Sequence, residues 1–467
     1  MSKLNDDIFY LIIKELNNIE RSLHPYLLVN RTWSVIVIST LWKNPWKYAN
    51  AYYKRKLLLQ VIISHLSDEK RNELNNSRSN FLINLYERPL FNYINFCKHL
   101  NLVAIKDTIL TIGILTCEVD FFMDEIIYLF VNNENTNIKH LYIPNEFHCQ
   151  IYLIPGAKRC FSEIEFLSCN TNISDNVLAE LTDMCQSIRN LELFVHTNSN
   201  YRIVRLIESS KKLISVSLNS YNRLDVHDKS FYRIVEKSLI KHASTIQYFK
   251  MSRQPTTLFL SYLINLKSLE LTSERYNNEW NCLENLSLPF LQILRVSKIP
   301  SKFIAGLIKN TGGYLTEFAI HSKGNDNSII IQTICKMCPN LKFLKLPIGY
   351  ENISHLENLL INCQYLKGLY ILKTDSTNWK ILFEILTRSS PIGLFKFKFC
   401  FSYTKIEIEF LKSFFNNWKY RHPMLLQFIQ INQFDLEYEN LMRRYKAKGI
   451  VKNFTCNLYN KSDFEWN

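Results

Sequence analysis

Residues 341–346 read Leu-Lys-Phe-Leu-Lys-Leu, and residues 366–371 read Leu-Lys-Gly-Leu-Tyr-Ile. Both hexapeptides have apolar residues at their first, fourth and sixth positions. The last two of these positions are two residues apart, so in a strand they lie on the same face. The two hexapeptides begin about 25 residues apart, which leaves room for a helix between two short strands.

The same pattern occurs about thirteen times along the chain, mostly at steps of about 25 residues. Its copies begin at Ile138, Phe161, Ile188, Leu213, Ile246, Leu266, Leu291, Leu315, Leu341, Leu366, Ile392, Leu426 and Val451. Between copies, apolar residues recur at intervals of three and four, as in Val177, Leu178 and Leu181, which indicates a helix with one apolar face. One strand–helix unit cannot bury its apolar face alone, but stacked units share one core.

This pattern resembles the leucine-rich repeat in its longer intracellular form. The resemblance implies an α/β solenoid with parallel strands on a concave face and helices on a convex face. We assign this solenoid to residues 138–467 and a helical connector with a solenoid cap to residues 47–137. Residues 1–46 form a separate N-terminal module, which we expect to be all-helical.

Three cysteines support a repeating unit. Cys185, Cys338 and Cys363 each lie three residues before the first apolar position of a copy, so we expect them to fill one small, buried slot. This placement also favours a structural role for Cys338 over a zinc site shared with Cys335, because no second cysteine pair has zinc-ligand spacing. We therefore expect no metal and no cofactor.

The N-terminal module has its own helical pattern. Apolar residues from Ile8 to Leu16 have helical spacing, and they follow Asp6 and Asp7, which are favourable at a helix N-terminus. Two further apolar stretches follow, one around Leu27 and one around Trp33. Three short helices in about 45 residues make a small core, so a partner or a neighbouring segment must complete it.

This module resembles the F-box, a motif with an acidic residue after an opening Leu-Pro, then a Val, a basic residue and a Trp, and finally Leu-Trp. Asn5 stands where the family usually has Pro. The resemblance implies that the module binds a Skp-type adaptor and, through it, a cullin scaffold. The matching residues, which we expect to contact the adaptor, are Leu4, Ile8, Ile12, Leu16, Leu27, Leu28, Val29, Trp33, Leu41 and Trp42. The alternative is that residues 1–46 only cap the solenoid.

Charge and motif content narrow the possible functions. The chain has 56 Lys and Arg against 42 Asp and Glu, a net charge of +14, but the basic residues are dispersed, which is typical of a solvated surface. The first residues are polar, and the longest apolar run, near residues 105–116, is too short to span a bilayer. We expect a cytoplasmic or nuclear protein without a membrane partner. The sequence lacks phosphate-binding, zinc-protease and serine-hydrolase motifs, so we expect no active site.

The second half of the repeat offers a different surface. Residues between the buried strand positions point to the concave face, and here they become basic and aromatic, which favours binding of an acidic protein partner. The expected client-binding residues are Arg295, Phe343, Lys345, Tyr370, Lys396 and Lys398. The alternative is a solvated face that binds nothing.

These features predict a non-catalytic substrate-recognition subunit of a cullin-type ubiquitin ligase. Such a subunit holds a client protein near a ubiquitin-charged enzyme and contributes proximity rather than bond chemistry. Two other interpretations stay open. One is a leucine-rich-repeat scaffold without a ligase role, and the other is a nucleic-acid-binding protein, whose affinity would fall steeply with salt.

Overall fold

The structure is a computed structural model, and it divides into two compact units, Met1–Ser238 and Leu239–Asn467. It describes residues 6–18, 23–49, 51–76, 88–112, 114, 116–220, 229–273, 280–321, 327–374, 378–400, 406–429, 436–457 and 464. Among the expected adaptor contacts, Leu4 lies outside these residues.

The described residues contain fourteen β-strands, five in the first unit and nine in the second, and the strands are parallel and follow chain order. The strands are β1 His99–Asn101, β2 His140–Tyr142, β3 Phe166–Asn170, β4 Asn190–Val195, β5 Ser215–Ser220, β6 Tyr248–Met251, β7 Ser268–Thr272, β8 Ile293–Ser297, β9 Glu317–Ile320, β10 Phe343–Ile348, β11 Gly368–Lys373, β12 Lys396–Cys400, β13 Met424–Ile429 and β14 Val451–Asn457. Parallel strands cannot be joined by tight hairpins, so each connection must cross back over the sheet.

The α-helices are α1 Asp6–Asn18, α2 Arg31–Trp42, α3 Tyr52–Ile63, α4 Asp68–Asn76, α5 Leu102–Thr111, α6 Thr116–Val131, α7 Ala157–Phe161, α8 Asp175–Met184, α9 Ile203–Ser209, α10 Lys229–Leu239, α11 Ser301–Lys309, α12 Ser328–Met337, α13 Ile353–Asn362, α14 Trp379–Ser389, α15 Ile408–Asn417 and α16 Leu436–Ala447. Short 3-10 helices cover His24–Leu28, Pro45–Tyr48, Tyr93–Phe96, Ile151–Leu153, Ile240–His242, Phe259–Tyr262, Asn281–Leu283 and Tyr350–Asn352. In the second unit, helices α11 to α16 pack against their neighbours in chain order. The expected α/β class with repeated parallel strands is confirmed, and this arrangement is compatible with a repeat solenoid.

The core of the second unit is a row of apolar side chains that pair across its strands. Each is at most 2% exposed, and the row consists of Phe249, Leu269, Leu294, Phe318, Leu344, Leu369, Phe397 and Leu426. Full burial of one such side chain stabilises a fold by about 1.5–3 kcal/mol relative to exposure. Helices cover this row, as Phe414 of α15 does by packing edge-to-face on Phe397 with ring centroids 5.9 Å apart. We call the opposite side of the sheet, turned away from the helices, the distal face.

Three copies of the repeat have a register that differs from the sequence-based one. Leu141 pairs with Leu167, so the copy assigned to Phe161 has its inward positions three residues later. Leu369 pairs with Phe397, and Ile392 is 76% exposed, so the copy assigned to Ile392 begins two residues later. The copy assigned to Leu426 has Leu426 itself at the middle position. These segments contain extra apolar residues that fit two registers, and backbone pairing selects one.

The sheet also begins earlier than the sequence pattern indicated. Strand β1 lies within residues 47–137 and pairs with β2, and its Leu100 is fully buried opposite Leu141. The apolar spacing of Cys97, Leu100 and Leu102 matches the repeat, but the step to the next copy is longer than the usual one. The division of the chain at residues 46 and 137 stays a prediction.

The expected cysteine slot is confirmed. Cys185, Cys338 and Cys363 are each 0% exposed and stand directly after α8, α12 and α13. Their backbone N–H groups donate to carbonyl oxygens of the preceding helical turn, which ends each helix in the same way. Burial raises the pKa of each of these three thiols to about 12.

We predict that these three cysteines resist alkylation in the folded protein. A thiol with a pKa near 12 is almost entirely protonated at pH 8, and the thiolate is the reactive form. N-ethylmaleimide labelling followed by peptide mass spectrometry should modify Cys335 at least about tenfold faster than Cys338, because Cys335 is partly exposed on the same helix. Equal labelling rates in the native state would contradict the buried slot, and equal rates in urea provide the control.

Candidate functional site

The N-terminal helices enclose a small core of their own. Three residues are buried together: Ile13 of α1, Val37 of α2, and Leu23, which precedes the 3-10 helix His24–Leu28. Trp33 packs edge-to-face on Phe9, with ring centroids 4.6 Å apart, and these contacts join α1 to α2. The Asn30 side chain accepts a hydrogen bond of 2.9 Å from the Trp33 backbone N–H, so it caps the first turn of α2.

The expected adaptor residues fall into two structural groups. Leu16, Leu27, Trp33 and Leu41 are partly buried and pack around the small core. Trp42 also points inward, since its ring stacks on Tyr93 of the following segment at 4.8 Å. The outward-facing group consists of Ile8 (47% exposed), Ile12 (39%), Leu28 (90%) and Val29 (55%). Leu11 is 60% exposed and belongs with them, although the motif comparison did not include it.

Exposed apolar residues at these positions have no role in the small core. An isolated exposed Leu is ordinary on a protein surface, but several together on one short element indicate a binding surface. Ile8 and Ile12 are four residues apart and therefore lie on one side of α1. We call Ile8, Leu11, Ile12, Leu28 and Val29 the apolar N-terminal surface.

Five of the six expected client-binding residues lie close together on the distal face of β10, β11 and β12. Backbone pairing aligns Lys345 with Tyr370 and Tyr370 with Lys398. A second row, two residues earlier, aligns Phe343 with Gly368 and Gly368 with Lys396. We call Phe343, Lys345, Tyr370, Lys396 and Lys398 the basic aromatic patch.

Aromatic rings stabilise the ammonium groups of this patch. The Nζ atom of Lys345 lies 4.6 Å from the centre of the Tyr370 ring, and that of Lys398 lies 5.9 Å from the same ring. Lys396 approaches the Phe343 ring with its Nζ atom 5.9 Å from the centre. A cation over a ring contributes about 0.5–2 kcal/mol, more where water is excluded.

Three of the five side chains of the patch are shielded from water. Lys345 is 6% exposed, Tyr370 4% and Lys398 0%. Burial, and then the nearby charge of Lys367, lowers the pKa of the partly buried Lys396 ammonium below its ordinary value. Removing lysines from water is costly unless other groups replace the lost hydration, so this part of the face is covered.

Arg295 lies apart from the patch. One strand, β9, separates it from Lys345, on a pairing row that passes through the buried Ala319. Its guanidinium donates to Glu317 on the next strand, with an Nε–Oε1 distance of 2.8 Å. Because this ion pair already uses its charge, we do not include Arg295 in the patch.

Phe464 is a contact that the sequence reasoning missed. It is described beyond β14, and its ring lies 5.5 Å from that of Phe343, centroid to centroid. The available signal was the local composition, because Asp463-Phe464-Glu465-Trp466 combines aromatic and acidic residues that complement a basic aromatic surface.

The distal face of the first unit contains a stack of imidazole rings. His99 of β1 and His140 of β2 are paired across the strands, with ring centroids 3.8 Å apart and planes 7° from parallel. Burial, followed by the charges of His140 and Lys43, lowers the pKa of His99 to about 4. Burial also lowers the pKa of His140, against a raising effect of Glu165. Both rings are therefore neutral at pH 7.

No protein-family model matches the chain, and no curated protein matches its sequence. In the described ranges, His, Cys, Asp and Glu side chains form no group of three that could hold a metal ion. The helices of the described segments are all too short or too polar to cross a bilayer.

We predict that the stacked histidines make the first unit sensitive to acid. An unfolded His takes up a proton near pH 6.5, whereas folded His99 does so only near pH 4. The contribution of the neutral histidine pair to the free energy of unfolding is thus complete above pH 6.5 and is lost as the pH falls toward 4. Since the rings are only partly buried, we expect a loss of about 1–2 kcal/mol between pH 7 and 5.

The measurement is urea unfolding at both pH values for the parent and for the variant with His99→Gln and His140→Gln. The variant should lose less stability on acidification than the parent. The same loss in both proteins would show that other groups determine the acid sensitivity.

Proposed function

We propose that this chain is a non-catalytic substrate receptor of a cullin-type ubiquitin ligase, acting in the cytoplasm or nucleus. Its N-terminal module, residues 1–46, binds a Skp-type adaptor that connects it to the cullin scaffold. Its repeat sheet binds the client protein through the distal face that carries the basic aromatic patch, whose partly exposed members are Phe343 and Lys396. The chain contributes position rather than chemistry, because it holds the client where a ubiquitin-charged enzyme can reach it.

One observation carries the adaptor part of this proposal. The F-box-like segment folds around its own small core and leaves the apolar N-terminal surface exposed, with Leu28 at 90%. If residues 1–46 only capped the repeat, these apolar side chains would be expected to pack against the rest of the chain. An exposed apolar surface that a partner buries fits the adaptor role better than the capping role.

The client part is supported by the composition of the distal face. Aromatic and cationic side chains are typical of protein interfaces, and their positive charge favours an acidic partner. The dispersed positive charge of the remaining chain gives no comparable reason to favour nucleic acid.

We predict that Leu28→Asp abolishes adaptor binding without unfolding the protein. Leu28 is 90% exposed, so a charge there costs little in the free chain but must be desolvated in an apolar interface. Pull-down with a purified Skp-type adaptor should show binding by the parent and at least about a tenfold loss in this variant. Trp33→Ala is a poor substitute, because Trp33 packs inside the small core and its removal tests folding instead.

The matched control is Leu153→Asp, which changes a Leu that is 64% exposed outside the N-terminal helices. It should bind the adaptor like the parent. Failure of the folded parent to bind the adaptor would remove the ligase role and leave the repeat as an interaction scaffold.

A further inference from the structure

The edge of the second unit at which its strands begin carries a row of exposed aromatic side chains. Strands β8, β9 and β11 are parallel members of one sheet, so their N-terminal ends lie at the same edge. Phe290, Tyr314 and Tyr365 each stand three residues before the first residue of one of these strands. They are 51%, 56% and 63% exposed. Three large rings in water at one register position have no role in the core, which indicates a binding surface.

Backbone hydrogen bonds hold this edge in one conformation. The backbone N–H of Lys342 donates to the carbonyl oxygen of Thr316, and that of Lys367 donates to the carbonyl oxygen of Lys342, both at 2.8 Å. Before β10, the Nδ2 atom of Asn340 donates to the carbonyl oxygen of Gly313 at 3.2 Å. These bonds join the segments that precede β9, β10 and β11, so the edge is ordered before a partner arrives and loses little entropy on binding.

Two glycines set the position of the Tyr314 ring. Gly313 has a φ of 76°, a left-handed conformation that favours glycine. A Cβ atom on Gly312 would lie 2.6 Å from the carbonyl oxygen of Pro289 and 3.1 Å from the Tyr314 ring. The ring therefore lies against the bare backbone of Gly312, and the turn presents it at the edge.

Lysines give one end of this edge a positive charge. Lys342 and Lys367 directly precede β10 and β11, and both are exposed. Among the described residues, neither of them has a carboxylate partner, and the charge of Lys367 contributes to lowering the pKa of Lys396. The equivalent residues before β8 and β9 are the neutral Gln292 and Thr316. The edge thus has an apolar half at β8 and β9 and a basic half, with one aromatic ring, at β10 and β11.

We propose that this edge is a second docking surface, which takes an extended segment of a partner protein with apolar side chains at one end and carboxylates at the other. We call Phe290, Tyr314, Lys342, Tyr365 and Lys367 the strand-entry edge. The apolar end of the segment packs on Phe290 and Tyr314, and its carboxylates pair with the two lysines. Neighbouring strands are about 4.8 Å apart, so the four strands span about 14 Å, the length of about four or five extended residues. The proposal goes beyond the ligase role and is tested without the adaptor.

The distribution of charge favours a protein segment over two other occupants. A single-stranded nucleic acid carries a phosphate at every nucleotide and follows a continuous basic groove, whereas the half at β8 and β9 is neutral and lies beyond the exposed Glu284. A second copy of the chain has a net charge of +14, which opposes its approach to a basic edge.

The test is selection on the immobilised parent chain from a display library of random peptides about twelve residues long. The enriched peptides should have apolar residues followed by Asp and Glu. An edge variant with Tyr314→Ser, Tyr365→Ser, Lys342→Gln and Lys367→Gln should bind these peptides at least about tenfold more weakly than the parent. Its circular dichroism spectrum and melting temperature should stay close to those of the parent, because the four side chains are exposed.

The matched control changes the same residue types beyond the other ends of the strands. Tyr350 and Lys380 are exposed and follow β10 and β11. A variant with Tyr350→Ser and Lys380→Gln should bind the selected peptides like the parent. An equal loss of binding in both variants would overturn the assignment to the strand-entry edge.

A double-mutant cycle tests the pairing of carboxylates with the two lysines. In a selected peptide, replacing Asp and Glu by Asn and Gln should weaken binding to the parent at least about tenfold. The same replacement should have little further effect on the chain with Lys342→Gln and Lys367→Gln, because the charges that it removes have no partner there. Additive effects would contradict the pairing.

Three results would overturn the proposal as a whole. One is that no peptide is enriched on the parent over the edge variant. Another is binding of a single-stranded oligothymidylate of about twelve nucleotides that the edge variant loses, which would assign the edge to nucleic acid. The third is self-association of the parent, measured by light scattering and lost in the edge variant, which would make the edge a contact between copies of the chain.

Discussion

The parallel backbone pairing between successive strands is the constraint on which the rest of this protein depends. Because side chains alternate between the two faces of a strand, a slip of one residue would turn the buried row outward. Each strand is therefore fixed to its neighbour by the need to place residues such as Leu344 and Leu369 in one continuous core. Once that row is fixed, the residues that precede and follow each buried residue along its strand are also aligned across the sheet, whatever their chemistry.

This alignment produces the electrostatics of the distal face. Neighbouring parallel strands are about 4.8 Å apart, so residues on alternate strands, such as Lys345 and Lys398, are about 10 Å apart. Tyr370 lies between them and presents one ring to both ammonium groups. The contact of both ammonium groups with one ring offsets part of the cost of placing two like charges on the same face.

The sequence predicted the repeat well where only one register was possible. Copies such as those at Ile188 and Leu266 have only polar residues between their three apolar positions, and the structure pairs them as expected. The copy near Ile392 was misplaced because Phe395, Phe397 and Phe399 alternate with lysines and satisfy the pattern in two ways. Only pairing with the neighbouring strand distinguishes these registers, and that is a long-range contact. For the same reason the contact of Phe464 with Phe343, far apart in sequence, could not be derived from local spacing.

The N-terminal module shows why a motif match cannot by itself assign a binding site. The pattern combines residues that build the small core, such as Trp33, with residues that this core leaves outside, such as Leu28. Both kinds are apolar, so sequence spacing does not separate them, whereas burial does. In a module this small, most apolar residues must serve the core, and each one left in water lowers the benefit of folding. Stability of the module therefore does not explain why the exposed residues of the pattern are apolar. A docking role depends on these exposed residues.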